Sequence, residues 1–270
     1  MIKETPNIVT IVQVRRGSSR LRDKVLLPIC DKHLFVRQIE RINASELKGT
    51  VVVATTINKE DDIIESICKE ENILCFRGDE NDLLDRHLQA ALRYDADVAI
   101  KIPSDCPLID PKIIDKVIRF FLDNIGTYDY VSNLHPATYP DGNDVEVMTI
   151  KSLIAAWNNA TLNFEREHTT PYIWEHPEQF RIGNVSIEND YSMTHRWTID
   201  YKEDYDFIKK VYEELYPANP LFSMEDILDL LEKHPEIAAI NSKFAGVNWY
   251  RNHLDELKTI KPEQTKVIAN

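Results

Sequence analysis

Ile8-Val9-Thr10-Ile11-Val12-Gln13-Val14-Arg15-Arg16-Gly17-Ser18-Ser19-Arg20-Leu21-Arg22-Asp23-Lys24 joins an apolar, β-branched run to a basic loop that turns at a glycine. The run has roughly half the length of a membrane span, and Lys3 and Glu4 before it do not make the layout of a signal peptide. It therefore reads as a buried strand. The loop gathers Arg15, Arg16, Arg20, Arg22 and Lys24 with only Asp23 against them, in a chain of 270 residues whose formal net charge is −13. Such an acidic balance repels a nucleic-acid backbone and argues against that partner. The local cations instead point to a small polyanion. Glycine permits close backbone approach, amides and hydroxyls cradle oxygens, and Arg and Lys neutralise charge. The loop is neither a Walker loop nor a G-x-G-x-x-G dinucleotide turn. On composition alone a solvated basic loop is the plainer reading; its position after the first buried strand favours the ligand crevice.

Beyond this loop, apolar runs at 50–56, 73–76 and 97–102 alternate with stretches of helical period at 34–45, 59–71, 81–94 and 112–123. That alternation predicts an α/β fold built on a mostly parallel sheet. Prolines break the segment 103–111 into a loop at a strand's carboxyl end, on the edge where ligands bind open α/β sheets. From residue 128 the pattern changes. Strands are expected at 128–133, 145–150, 180–187 and 196–199 and helices at 152–160, 165–175 and 203–215, forming a mixed-sheet extension that covers the site. The tail from 223 to 258 reads as largely helical with a break at His234-Pro235. The four cysteines, Cys30, Cys68, Cys75 and Cys106, form no C-x-x-C pair, so neither a zinc site nor a disulfide framework is expected and a cytoplasmic protein fits.

Asp105, in the proline-stiffened loop Pro103-Ser104-Asp105-Cys106-Pro107-Leu108, and Asp200, after Arg196-Trp197-Thr198-Ile199, both stand at expected strand ends. A hard cation such as magnesium takes one or two carboxylates plus phosphate oxygens and water. Either aspartate alone is as readily a turn former or helix cap. His168, among Glu165, Arg166 and Glu167, is a candidate acceptor contact or base, although an isolated histidine among charges is more often a surface or capping residue. Tyr139-Pro140-Asp141-Gly142-Asn143-Asp144 reads first as a turn. Trp157, Trp174, Trp197 and Trp249 show no regular spacing and are expected in the core.

These residues resemble the CMP-sugar synthetase-like cytidylyltransferases, in particular their spore-coat polysaccharide branch, from about residue 7 to 215. The resemblance rests on the opening pattern Q-A-R-x-G-S-[ST]-R-L-P-G-K-V-L, matched at Gln13, Arg15, Gly17, Ser18, Ser19, Arg20, Leu21, Lys24, Val25 and Leu26. It continues through Phe76-Arg77-Gly78 with Asp85-Arg86, Asp105-Cys106-Pro107-Leu108-Ile109-Asp110, Asp144-Val145-Glu146-Val147, Glu165-Arg166-Glu167-His168 and Arg196-Trp197-Thr198-Ile199-Asp200. The chain departs from the pattern where Val14 replaces Ala, Arg22-Asp23 replaces Pro-Gly, and Pro103-Ser104 replaces Thr-Gly.

The resemblance implies a Rossmann-like, glycosyltransferase-A-like mixed sheet binding CTP and Mg2+, in a homodimer. It divides the chain into a nucleotidyltransferase domain at 1–222 and a helical extension at 223–270. Within the domain, the nucleotide-binding part covers 1–127 and the acceptor-binding part 128–222. By position, Val14, Arg15, Gly17, Ser18, Ser19, Arg20, Lys24, Arg77 and Ser104 are expected at the nucleotide. Asp105 and Asp200 are expected at the metal, and Tyr139, Asp144, Glu146 and His168 at the acceptor. Arg15, Arg20, Lys24 and Asp105 are the candidate catalytic groups. The implied activity transfers CMP from CTP to a small acidic or phosphorylated sugar-like acceptor in surface polysaccharide biosynthesis, releasing pyrophosphate, with no membrane partner. A nucleotide-sugar-dependent glycosyltransferase of the same fold and a non-catalytic nucleotide-binding subunit are the competing classes. The several cations of the first loop favour a pyrophosphate leaving group over the first. The presence of both aspartates favours an active enzyme over the second.

Overall fold

A computed structural model of the chain describes residues 6–18 and 20–268. The opening run forms β1 (Ile8–Gln13). A short hairpin of β2 (Pro28–Ile29) and β3 (Lys32–His33) leads into α1 (Leu34–Asn43). There follow β4 (Thr50–Thr56), α2 (Asp62–Glu70), β5 (Leu74–Gly78), α3 (Leu83–Arg93), β6 (Val98–Pro103) and α4 (Pro111–Asp123). The second half contributes β7 (Tyr130–Ser132), β8 (Glu146–Thr149), α5 (Ile150–Asn159), α6 (Asn163–His168), α7 (Pro171–Trp174) and β9 (Ile182–Asn184). It closes with α8 (Lys202–Leu215), α9 (Met224–Lys233) and α10 (Pro235–Ala239). The main sheet runs β5-β4-β1-β6-β8-β7-β9. Its first four strands are parallel, β8 is antiparallel to both β6 and β7, and β9 is parallel to β7.

Alternating side chains send β1 into two cores. Val12 and Val14 face Phe35 and Ile39 of α1 and Val117 and Phe121 of α4, whereas Val9 and Ile11 face Leu84 and Leu88 of α3. Burying each such side chain contributes about 1.5–3 kcal/mol before entropy is counted. A third cluster, with Trp197, Phe207, Tyr212 and Ile227, packs α8 and α9 over the loop that precedes α4. Asp110 ties these parts together. Its carboxylate caps α4 by accepting from the Lys112 amide and also accepts from the Met224 amide at the start of α9, while its own amide donates to Asn143.

Three expectations need correction. The segment 196–199 is not a strand beyond one bridge to Asp141, because its amides serve loops instead of a ladder: Trp197 donates to the Asp141 carbonyl and Ile199 to the Asp105 carbonyl. The helix expected at 165–175 is two helices, broken where Thr169 has φ 73° and Pro171 restarts the turn. The tail is α-helical only to Ala239, and from there on it holds short 3-10 turns.

The loop 141–144 depends on Gly142, whose φ is 112° and where a Cβ would stand 2.7 Å from the Trp197 backbone. Gly142→Ala is expected to cost about 2 kcal/mol or more in urea unfolding. An unchanged midpoint would show that the loop relaxes freely.

Candidate functional site

A cavity of about 720 Å³ opens beyond the carboxyl ends of β1 and β6. From the loop after β1 it receives Arg15, Gly17, Ser18, Arg20 and Lys24; the loop after β6 adds Ser104 and Asp105, and Asp200 enters from just before α8. The other cations of the basic loop turn elsewhere. Arg16 forks onto Asp23 at 2.8 and 3.0 Å and anchors its amide on Asp61, and the Arg22 side chain is 79% exposed.

At the centre, Lys24 Nζ donates to Asp105 Oδ2 at 3.2 Å, Asp200 Oδ1 at 3.0 Å and the Ile199 carbonyl at 2.7 Å. Burial alone would push the ammonium down, but Asp105 and Asp200 outweigh it and hold Lys24 above the ordinary lysine range. Asp200 also meets Arg20 at 2.7 Å and Arg196 at 3.0 Å. Burial opposes its ionisation, yet Lys24, Arg20 and Arg196 keep it well below the usual carboxylate range. Arg196 is itself clamped by Asp204 and Asp141, and its side chain is 1% exposed.

Burial, with the charge of Asp105 next, raises Asp144 to about 7. Burial also raises Asp141, against the pull of Arg196. Among the described residues no three His, Cys, Asp or Glu side chains are arranged as a ready metal cluster. Magnesium needs no such cluster, since phosphate oxygens and water complete its shell. Asp105 and Asp200, brought together on one ammonium at the cavity, are the carboxylates that could hold such an ion.

The second wall carries Tyr139, Asp144, Glu146 and His168. Glu146 pairs with Lys101 at 2.5 Å directly across β8 and β6 and accepts from Tyr130 at 2.6 Å. The Tyr139 hydroxyl is buried without a hydrogen-bond partner among the described residues. His168 stacks on Trp249 at 3.8 Å, and burial, then Lys101 and His253, lower its pKa to about 3. So weak an imidazole is neutral and a poor base near neutral pH.

Two expected nucleotide contacts lie away from the cavity. The Val14 side chain is fully buried in the core and its amide donates to the Ala54 carbonyl, so the strand consumes both. Arg77 is drawn to Asp62 and Glu65 of α2 and to the carbonyls of Thr56 and Asn58. Arg86, from the same matched region, reaches the cavity instead and donates to Gln13 at 2.8 Å. Ser19 lies outside the described residues. Trp197 and Trp174 are in the core as expected, whereas Trp157 is exposed and donates its indole N–H to Asp85. Trp174 also lines the cavity, with Trp249, Tyr250 and Arg251. No spacing in the sequence signals this, since the tail meets the acceptor wall only through folding.

A basic loop after the first strand, one aspartate after β6 paired through Lys24 with another just before α8, and a roomy second wall fit an α/β protein that handles a polyphosphate beside a second substrate. The chain belongs to the cytidylyltransferase family: the model of the family Cytidylyltransferase matches residues 9–237. It is 38% identical to the uncharacterized protein MJ1063 of Methanocaldococcus jannaschii, over 87% of this chain and 94% of that one. It is 31% identical to the spore coat polysaccharide biosynthesis protein SpsF of Bacillus subtilis, over 86% of this chain and 97% of that one. A solved cytidylyltransferase from Leptospira borgpetersenii superposes with a TM-score of 0.82 at 35% identity, covering 87% of this chain and 97% of that one. Membership makes the chain a nucleotidyltransferase. No helix among the described residues is long and apolar enough to cross a membrane.

A pH dependence follows from Asp144. Its raised folded pKa means that the native state keeps a proton the unfolded chain has released, so this contribution is whole below about pH 4 and is lost as pH rises through about 7. Asp144→Asn is expected to flatten that fall, raising the urea midpoint more at pH 8 than at pH 5.5. Parallel changes at both pH values would contradict it.

Proposed function

We propose that this protein transfers CMP from CTP to an acidic or phosphorylated sugar-like acceptor and releases pyrophosphate, as a step of surface polysaccharide biosynthesis. The observation that carries the reading is Lys24 held between Asp105 and Asp200 on the same cavity as Arg15 and Arg20, in a chain of the cytidylyltransferase family. The polysaccharide context is supported by the name of the Bacillus subtilis relative. A homodimer in the cytoplasm is expected from the family resemblance, and the four free cysteines accord with a reducing compartment.

An acceptor oxygen attacks the α-phosphorus in line with the departing pyrophosphate. Arg15 and Arg20 receive the phosphate oxygens and offset the charge that grows on the leaving group. Lys24, whose three N–H groups are held by Asp105, Asp200 and the Ile199 carbonyl, offsets that charge through space and not by a bond to phosphate. Magnesium, held by Asp105 and Asp200, would supply Lewis-acid stabilisation of the phosphate charge. Tyr139, with its unpartnered hydroxyl, and neutral His168 orient the acceptor on the opposite wall.

Pyrophosphate release from CTP, ATP, GTP and UTP, with and without magnesium, against acidic sugars, sugar phosphates and phosphonates tests the reaction. Release is expected with CTP, magnesium and one acceptor class; a chain that does not bind CTP would overturn the proposal. Asp105→Asn is expected to keep the thermal midpoint of the parent protein while turnover drops about 100-fold or more. Undiminished turnover would remove Asp105 from the metal site.

A further inference from the structure

The cationic side chains on the acceptor wall are Lys101, Arg196 and Arg251, and their charges stand differently. Lys101 is paired with Glu146, and Arg196 with Asp141, Asp200 and Asp204. Arg251 donates to the Asn248 carbonyl at 3.2 Å and lies 3.5 Å from the Tyr201 hydroxyl, with no carboxylate at ion-pair distance among the described residues. Its charge is therefore not cancelled. The same wall carries Asp141, Asp144 and Glu167. An anion can lodge there only where an uncompensated cation receives it, and Arg251 offers a planar fork that matches a carboxylate or phosphate with two parallel hydrogen bonds.

Arg251 also sits on a fixed support, although residues 246–264 lie beyond the segment that the family model matches. The Arg196 guanidinium donates to the Val247 carbonyl at 2.6 Å, and Asn248 donates to the Gln264 carbonyl at 2.9 Å. Glu175 accepts from the amides of Lys258 and Thr259 at 2.6 and 2.9 Å, and Leu257 and Ile260 are buried in the core under α5 and α7. This C-terminal strap is thus a wall, tied at one end to the carboxylate centre and at the other to the hydrophobic core. An anchor for one end of a substrate needs such rigidity, because a mobile arginine would lose in ordering entropy what it gains in contact.

We propose that Arg251 binds the anionic group, carboxylate or phosphate, of the sugar-like acceptor, and that the C-terminal strap makes this family member selective for charged over neutral acceptors. This rests on the cytidylyltransferase reading above. The test is thermal unfolding of the full chain with saturating α,β-methylene-CTP, an analogue that fills the nucleotide side and cannot be cleaved. Glucuronate, a 3-deoxy-2-keto sugar acid, glucose 1-phosphate or neutral glucose is then added at millimolar concentration. At least one anionic sugar, and not glucose, is expected to raise the Tm of the parent protein further. Arg251→Gln is expected to lose that second shift and Arg251→Lys to keep only part of it, while the shift given by the nucleotide analogue stays the same in all three. An equal second shift in parent and Arg251→Gln overturns the assignment. So does the absence of any second shift in a parent protein that binds the analogue. If Arg251→Gln unfolds cooperatively but loses the nucleotide shift, Arg251 serves the nucleotide and the assignment is overturned; if it shows no cooperative transition, Arg251→Lys decides, and an undiminished second shift in it refutes the bidentate anchor. Failure of the parent to bind the analogue sinks the cytidylyltransferase reading itself.

Discussion

The ammonium of Lys24, placed between Asp105 and Asp200, joins three segments far apart in sequence: the loop after β1, the loop after β6 and the entry to α8. Asp200 passes the linkage to Arg20 and Arg196, and Arg196 passes it to Asp204, to Asp141 and to the Val247 carbonyl of the strap. Replacing Arg196 or Asp204, whose side chains are 1% and 0% exposed, would leave a buried charge without its partner, which is costlier than never having the pair. The central charges are therefore a constraint on the loops as much as a binding device.

The sheet explains why these loops meet. Parallel strands β4, β1 and β6 deliver their carboxyl ends to one edge, and β8, running the other way, brings Glu146 opposite Lys101 at the floor of the second wall. The cavity thus has one wall from a region rich in backbone turns and cations and another from aromatic rings and buried polar groups. The buried set Asp110, Asn133 and Asn143 holds the turn that carries Asp141 and Asp144, with Asn133 accepting from the Val145 amide at 2.9 Å and donating to the Asn143 carbonyl at 2.7 Å. The Asn143 amide nitrogen is the member of this set buried without a partner among the described residues.

Burial and pairing give the site its chemical character. Burial is the first cause of the raised pKa values of Asp141 and Asp144, whereas Lys24, Arg20 and Arg196 keep Asp200 ionised. Arg86 is wholly buried and spends its guanidinium on Gln13 and on the carbonyls of Asp79 and Glu80, so it braces the end of β1.

The first half of the fold is legible from sequence because its apolar periods are long and local. The run at 50–56 is the strand β4, and the basic loop falls where a buried strand ends. Arg15, Arg20, Lys24 and Asp105 were readable as a group because glycine, cations and a carboxylate at strand ends have few other uses together. Side-chain partnership was not readable: Arg77 and Arg86 look alike in sequence, but Arg77 is captured by Asp62 and Glu65 whereas Arg86 reaches the cavity. Nor was the second half, whose 196–199 segment spends its amides on distant loops, or the strap, whose aromatic residues show no period. Sequence by itself determined the sheet's parallel half, the family and the basic character of the first loop, because these rest on local pattern. Tertiary structure decided which cations remain uncancelled and which residues wall the cavity, because charge compensation and burial arise from contacts between segments that the chain brings together only on folding.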